Sequence, residues 1–185
     1  HNGTLENHEQ IFKKLPDTLE RKGVVDSEAI FHLFYHITEE GTKPVTHDMM
    51  KWVGRRLHGA YTVVMVNSRF PNQVVVTRKE RPVELFLIKP LNIVLIGSQK
   101  EFLESAIEKY NFIRNFIDPT LPALEKESRA IPERDYRIFD TSKEFPSGVA
   151  SWNDFDAISE KGELIHFQGR LEEDWLDPKR TTTTS

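Results

Sequence analysis

Apolar positions in the first part of the chain recur at helical spacing, and the spacing then changes. Leu5, Ile11, Phe12, Leu15 and Leu19 fall on one face of a first helix, with Glu6, Glu9, Lys13 and Lys14 elsewhere. Asn7 is a candidate cap for it. Pro16 predicts a break, because proline removes a hydrogen bond inside a helix, and Gly23 predicts its end. Ser27 is a candidate N-cap for a second helix running to about Thr38, where Ile30, Phe31, Leu33, Phe34 and Ile37 form a broad apolar face. Thr46-His47-Asp48 opens a third, with Met49, Met50, Trp52, Val53 and Leu57 apolar and Gly59 closing it.

From Ala60 onward the runs are short and rich in Val, Ile and Leu. Residues 60–66, 74–78, 84–88 and 92–97 read as four consecutive strands. The intervening Phe70-Pro71-Asn72, Glu80-Arg81-Pro82 and Lys89-Pro90-Leu91 have turn compositions, and links this short predict an antiparallel meander. Ser98 is a candidate cap for a fourth helix from Gln99 to about Phe112 or beyond, with Phe102, Leu103, Ala106, Ile107 and Tyr110 on one side. Pro119 and Pro122 stop it. Residues 118–134 read as a linker or surface loop, and residues 135–176 hold later strands at 135–140 and 163–168 that complete the domain or are appended to it. The threonine-rich stretch 177–185 is expected to be a disordered tail. Helices, then antiparallel strands, then a helix make the class α+β.

Composition narrows the partners more than the activity. The 185 residues suit one domain, and the formal net charge of −4 lacks the basic excess of a nucleic-acid binder. The chain has no cysteine, which excludes a disulfide framework and a thiolate metal site within it. No apolar run reaches the ~20 residues of a membrane span. The lack of cysteine fits an intracellular protein, and a cytoplasmic one is expected. His32 and His36 stand four apart on the second predicted helix, a spacing able to bind zinc, but no third ligand or intervening Glu accompanies them. Ser98 lies in no Gly-x-Ser-x-Gly elbow. Arg78, Lys79 and Arg81 form a small basic cluster that reads as a solvated turn, and Trp152 to Asp156 read as a packed loop.

Asn2-Gly3 is the compositional signature of a tight turn, since both residues tolerate positive φ. In such a turn an amide side chain and a backbone N–H converge, which is the donor arrangement of an oxyanion hole when a reactive group lies opposite. Nothing reactive is visible opposite it, and read alone the pair is an ordinary polar turn followed by two helices. His1-Asn2-Gly3-Thr4-Leu5-Glu6-Asn7-His8 resembles the His-Asn-Gly-x-x-x-Asn signature of class II glutamine amidotransferases, the N-terminal-nucleophile glutaminase domains. Asp26-Ser27-Glu28 resembles their Asp-Thr-Glu segment, with Ser in place of the usual Thr, and Leu57-His58-Gly59-Ala60-Tyr61 their Leu-x-Gly-Ala-Tyr/Phe strand entry. Arg78 with Pro82, and Gly97-Ser98-Gln99, are similar to two further motifs in the same order. The resemblance covers residues 1 to about 110, and residues 1–117 are assigned to it.

This resemblance implies an α-β-β-α sandwich of two facing antiparallel sheets, with its N-terminal part missing from the chain. It implies that the Asn2 side chain and the Gly3 N–H form the oxyanion hole, and that Asp26 holds the α-amino group of bound glutamine. For Asp26 the alternative is simple helix capping. No cofactor and no metal are expected. Members carry an N-terminal cysteine upstream of His-Asn-Gly, with its own amino group as base. The cysteine attacks the glutamine side-chain amide, a thioester is hydrolysed, and ammonia goes to an acceptor domain. That cysteine is absent here, and the His1 imidazole has neither thiolate nor hydroxyl to replace it. The expectation is therefore a fragment, inactive alone, whose nucleophile lies on a missing N-terminal segment. A homo-oligomer or an acceptor-domain partner is implied as well. The alternative function is an inactive amidotransferase-like scaffold or binding module.

Overall fold

A computed structural model describes residues 1–16 and 19–141. In chain order they form β1 (Asn2–Leu5), α1 (His8–Lys14), α2 (Ser27–Ile37), α3 (His47–Gly54), β2 (Gly59–Asn67), β3 (Phe70–Lys79), β4 (Glu84–Ile88), a 3-10 turn (Lys89–Leu91), β5 (Ile93–Gly97), α4 (Lys100–Ile117), β6 (Lys126–Ala130) and β7 (Asp135–Asp140). The strands build two antiparallel sheets, one ordered β1-β2-β3-β7 and the other β5-β4-β6. The fold is α+β, as the element order predicts.

Side-chain alternation along the strands sorts the core into layers. Tyr61 and Val63 of β2, Val75 of β3, and Tyr136 and Ile138 of β7 face one way and pack with Leu5, Ile11, Ala29, Ile30, Leu33, Phe34, Met50, Trp52 and Val53. This layer holds α1, α2 and α3 against the first sheet. Residues of opposite parity, Val76 and Phe139, meet Leu85 and Leu87 of β4, together with Val83 and Ile131, between the sheets. On the far side Phe86 and Ile88 of β4 pack against Ile107 and Leu103 of α4. The packing order is thus helices, sheet, sheet, helix. Val64 and Val66 of β2 share the inner face of Val74 and Val76 by register, yet they are 43% and 53% exposed, so the second sheet leaves the β1–β2 side of that face open.

Several expectations change here. Asn2 and Gly3 lie in a strand, not a turn, because the segment pairs with β2 (Asn2↔Thr62, Gly3↔Tyr61, Thr4↔Ala60, Leu5↔Gly59). Leu5 belongs to that strand, and α1 starts only at His8. The four central strands are not one meander. β2–β3 and β4–β5 are hairpins in different sheets, and the chain crosses between sheets at residues 80–83, where Glu80 has φ 66°. Thr62 Oγ1 donates to the Arg81 carbonyl (2.8 Å) and fixes this crossing.

Lys126–Ala130, inside the stretch read as linker, is a strand that pairs with β4. Its polar composition hid it, since it is an edge strand. Ser98 is no cap: the N-cap of α4 is Gln99, and its side chain makes no capping bond. Phe102 is 66% exposed, because α4 turns Leu103 and Ile107 to the sheet instead. The expected strand at 163–168, the loop at 152–156 and the tail lie outside the described residues.

Candidate functional site

The candidate residues gather where β1 meets the start of α2. In an antiparallel pair the backbone groups of alternate residues point toward and away from the partner strand. Glu6 N–H donates to the His58 carbonyl at 2.9 Å, so residues 2, 4 and 6 address β2. Residues 3 and 5 then direct their N–H groups to the opposite edge. At Leu5 that edge is occupied by side chains: Leu5 N–H donates to Asp26 Oδ2 (2.6 Å), and His8 Nδ1 donates to the Leu5 carbonyl (2.8 Å). The Gly3 N–H faces the same edge, two residues along. Among the described residues no strand pairs with this edge of β1.

Gly3 is required by geometry. Its φ of +138° is a conformation that side chains with a Cβ rarely adopt, and an added Cβ would sit 2.0 Å from the Ala60 carbonyl oxygen.

Asp26 occupies the N-cap position of α2, but its side chain makes no capping bond. The carboxylate turns to β1 across 21 residues of sequence. Its second oxygen, Oδ1, lies 3.9 Å from His1 Nδ1, and the Asp26 side chain is 23% exposed. Asn2 is exposed and Gly3 half-buried. The structure therefore brings Asn2, Gly3 and Asp26 to one corner. The expected Ser27 cap is displaced by one residue, and the acidic work at this helix start falls to Glu28. Its carboxylate accepts from Lys22 N–H (2.5 Å) and Gly23 N–H (2.7 Å), and these bonds with His32 hold it below the ordinary glutamate range.

Asn7 was legible as a helix cap and as the last residue of the His-Asn-Gly-x-x-x-Asn signature. In the structure its side chain makes no capping bond to α1. Buried at 4% exposure, it donates from Nδ2 to the Arg56 carbonyl (2.8 Å) and accepts at Oδ1 from His58 N–H (3.0 Å). It locks the β1–α1 corner to the loop that enters β2. Asn7→Ala removes both of these hydrogen bonds from a buried site, and is expected to cost about 2–3 kcal/mol of stability. Calorimetry should show a melting point roughly 5–10 °C lower; a shift under about 1 °C would contradict this role. Nearby, burial lowers Arg56 to about 10, and its guanidinium lies 3.7 Å from the Trp52 ring centre. Burial and Lys79 also lower His58, against the opposing effect of Glu6.

The other candidates are held apart. His32 Nε2 lies 3.3 Å from Glu28 Oε1 and its ring packs edge-on against Phe12, whereas His36 packs against Trp52. Among the described residues no group of three His, Asp or Glu side chains is arranged to hold a metal ion. Arg78 donates to the Ile131 carbonyl (2.7 Å), tying β3 to the β6–β7 connection rather than lying free in a turn. No helix among the described residues is long and apolar enough to cross a membrane.

Fold and corner together define an α+β domain of two antiparallel sheets in which an edge strand presents backbone donors beside a carboxylate. No family model matches the chain. Proteins named glutamine–fructose-6-phosphate aminotransferase (isomerizing) match part or most of the chain. The chain is 34% identical over 94 residues to the glutamine–fructose-6-phosphate aminotransferase (isomerizing) of Pseudomonas putida, covering 47% of this chain and 14% of that protein. It is 30% identical over 175 residues to that of Haemophilus influenzae, covering 90% of this chain and 25% of that protein. The corresponding protein of Methanothermobacter thermautotrophicus is 29% identical over 175 residues, covering 90% and 26%. The chain thus spans about a quarter or less of the length of the curated relatives it matches.

Proposed function

We propose that this chain is part of a class II glutamine amidotransferase domain, of the N-terminal-nucleophile type, that hydrolyses glutamine to glutamate and ammonia. The observation that carries this reading is the junction of β1 with Asp26. A carboxylate 21 residues downstream is bonded to the strand whose free edge carries Gly3 N–H. Similarity to aminotransferases named for glutamine supports the same substrate.

In this reading a thiolate borne on a segment outside these residues attacks the glutamine side-chain carbonyl carbon. The carbonyl oxygen becomes an oxyanion, received by Asn2 Nδ2 and Gly3 N–H. Ammonia leaves, a thioester forms, and water releases glutamate. Asp26 holds the substrate ammonium through Oδ1. The ammonia acceptor belongs to another domain, and fructose 6-phosphate is the candidate that the relatives' name offers. The complete polypeptide carrying this segment should release glutamate and ammonia in equal amounts from glutamine. A folded complete protein without such turnover would refute the glutaminase reading.

A further inference from the structure

Asp26 has two carboxylate oxygens with different surroundings, and that difference has a use. Oδ2 is committed to Leu5 N–H at 2.6 Å, while Oδ1 faces the corner, 3.9 Å from His1 Nδ1. An ionised carboxylate accepts at both oxygens at once, so serving the strand does not exclude serving a ligand. Leu5 is fully buried and ends β1. Its N–H projects from the same strand edge as that of Gly3, with one residue between them. Other fixings of β1 lie on the β2 side or at its α1 end: the β2 ladder, the Glu6–His58 bond and the Asn7 clamp. On the open edge, Asp26 and His8 do the fixing.

Resting on the glutaminase reading, we infer that Asp26 is also a positioning residue. Through Oδ2 it pins the edge of β1 that carries the Gly3 oxyanion donor, while Oδ1 receives the substrate ammonium. One carboxylate then couples recognition of the amino acid to alignment of the strand that stabilises the reacting oxygen. A displacement of an ångström at such a donor is enough to cost a large part of its effect.

Two substitutions separate the roles. Asp26→Asn keeps an oxygen for Leu5 N–H but loses the charge, whereas Asp26→Ala loses both. Amide hydrogen exchange on the 185-residue chain reads the strand directly, with Val76 N–H in the central strand β3 as the control for global opening. Leu5 N–H is expected to exchange ~10-fold faster or more in Asp26→Ala, and within about 3-fold of the parent in Asp26→Asn, with Val76 little changed. Unchanged Leu5 protection in Asp26→Ala, or equal loss in both variants, would overturn the inference.

Glutamine hydrolysis by the complete polypeptide supplies the second readout. Asp26→Asn should raise KM at least ~10-fold with kcat nearly kept, and Asp26→Ala should lower kcat ~10-fold as well. Equal kcat in the two variants would contradict the positioning role. Absence of turnover in the parent would overturn the glutaminase reading and the coupling with it, while the Leu5 exchange result would still decide whether Asp26 pins the strand.

Discussion

Gly3→Ala is expected to destabilise the chain by about 3–5 kcal/mol, combining backbone strain with overpacking. The residue sits at φ +138°, and the new Cβ would meet Ala60 O at 2.0 Å and Tyr61 Cα at 2.7 Å. These are backbone atoms of β2, so no side-chain rotation relieves the clash. On the facing strand Gly59, at φ +122°, would bring a Cβ to 2.2 Å from the Thr4 carbonyl oxygen. The two glycines together let β1 and β2 approach at this point, and neither contact can open without moving a strand. Thermal unfolding should show a midpoint roughly 10 °C lower or more. A loss below about 1 kcal/mol would mean that β1 does not pack as described.

The candidate residues were easier to mark in the sequence than their setting. Asn2-Gly3 was expected as a pair of donors on the strength of a turn that its local composition suggests. What makes it a strand is the ladder to residues 59–62, a non-local contact that composition does not encode. The same holds for Leu5, whose apolar spacing matches a helix until its pairing with Gly59 is known. Asp26 and Ser27 read correctly as a helix start to within one residue. The direction of the Asp26 carboxylate depends instead on where β1 lies in space. Helices α2 and α3 and the strand positions β2 to β5 were legible because their apolar faces are broad and their breaks carry Gly or Pro. Division of those strands between two sheets was not, since Glu80-Arg81-Pro82 has the composition of a hairpin turn and serves as a crossing. Strand β6 was invisible for a different reason: Lys126 to Ala130 carries no apolar alternation, and it pairs only at the edge of β4.

Asn2→Ala should have the largest effect on chemistry and little on stability. Asn2 is exposed on an edge strand, so its side chain contributes less than about 0.5 kcal/mol to folding. If its amide receives the oxyanion, its loss raises the barrier by about 3–4 kcal/mol, which is ~10²–10³ in kcat. Because that donor acts mainly on the developing charge, KM for glutamine should change little. Stability and rate therefore separate at this position, whereas at Gly3 they fall together.

The most direct measurement is steady-state glutamine hydrolysis by the complete polypeptide and its Asn2→Ala variant, with their melting points compared. The expected result is parent turnover, a kcat lower by ~10²–10³ in the variant, and melting points within about 1 °C. Equal kcat values in the two proteins, or no glutamine turnover by a well-folded parent, would contradict the assignment of this corner as the site of amide hydrolysis.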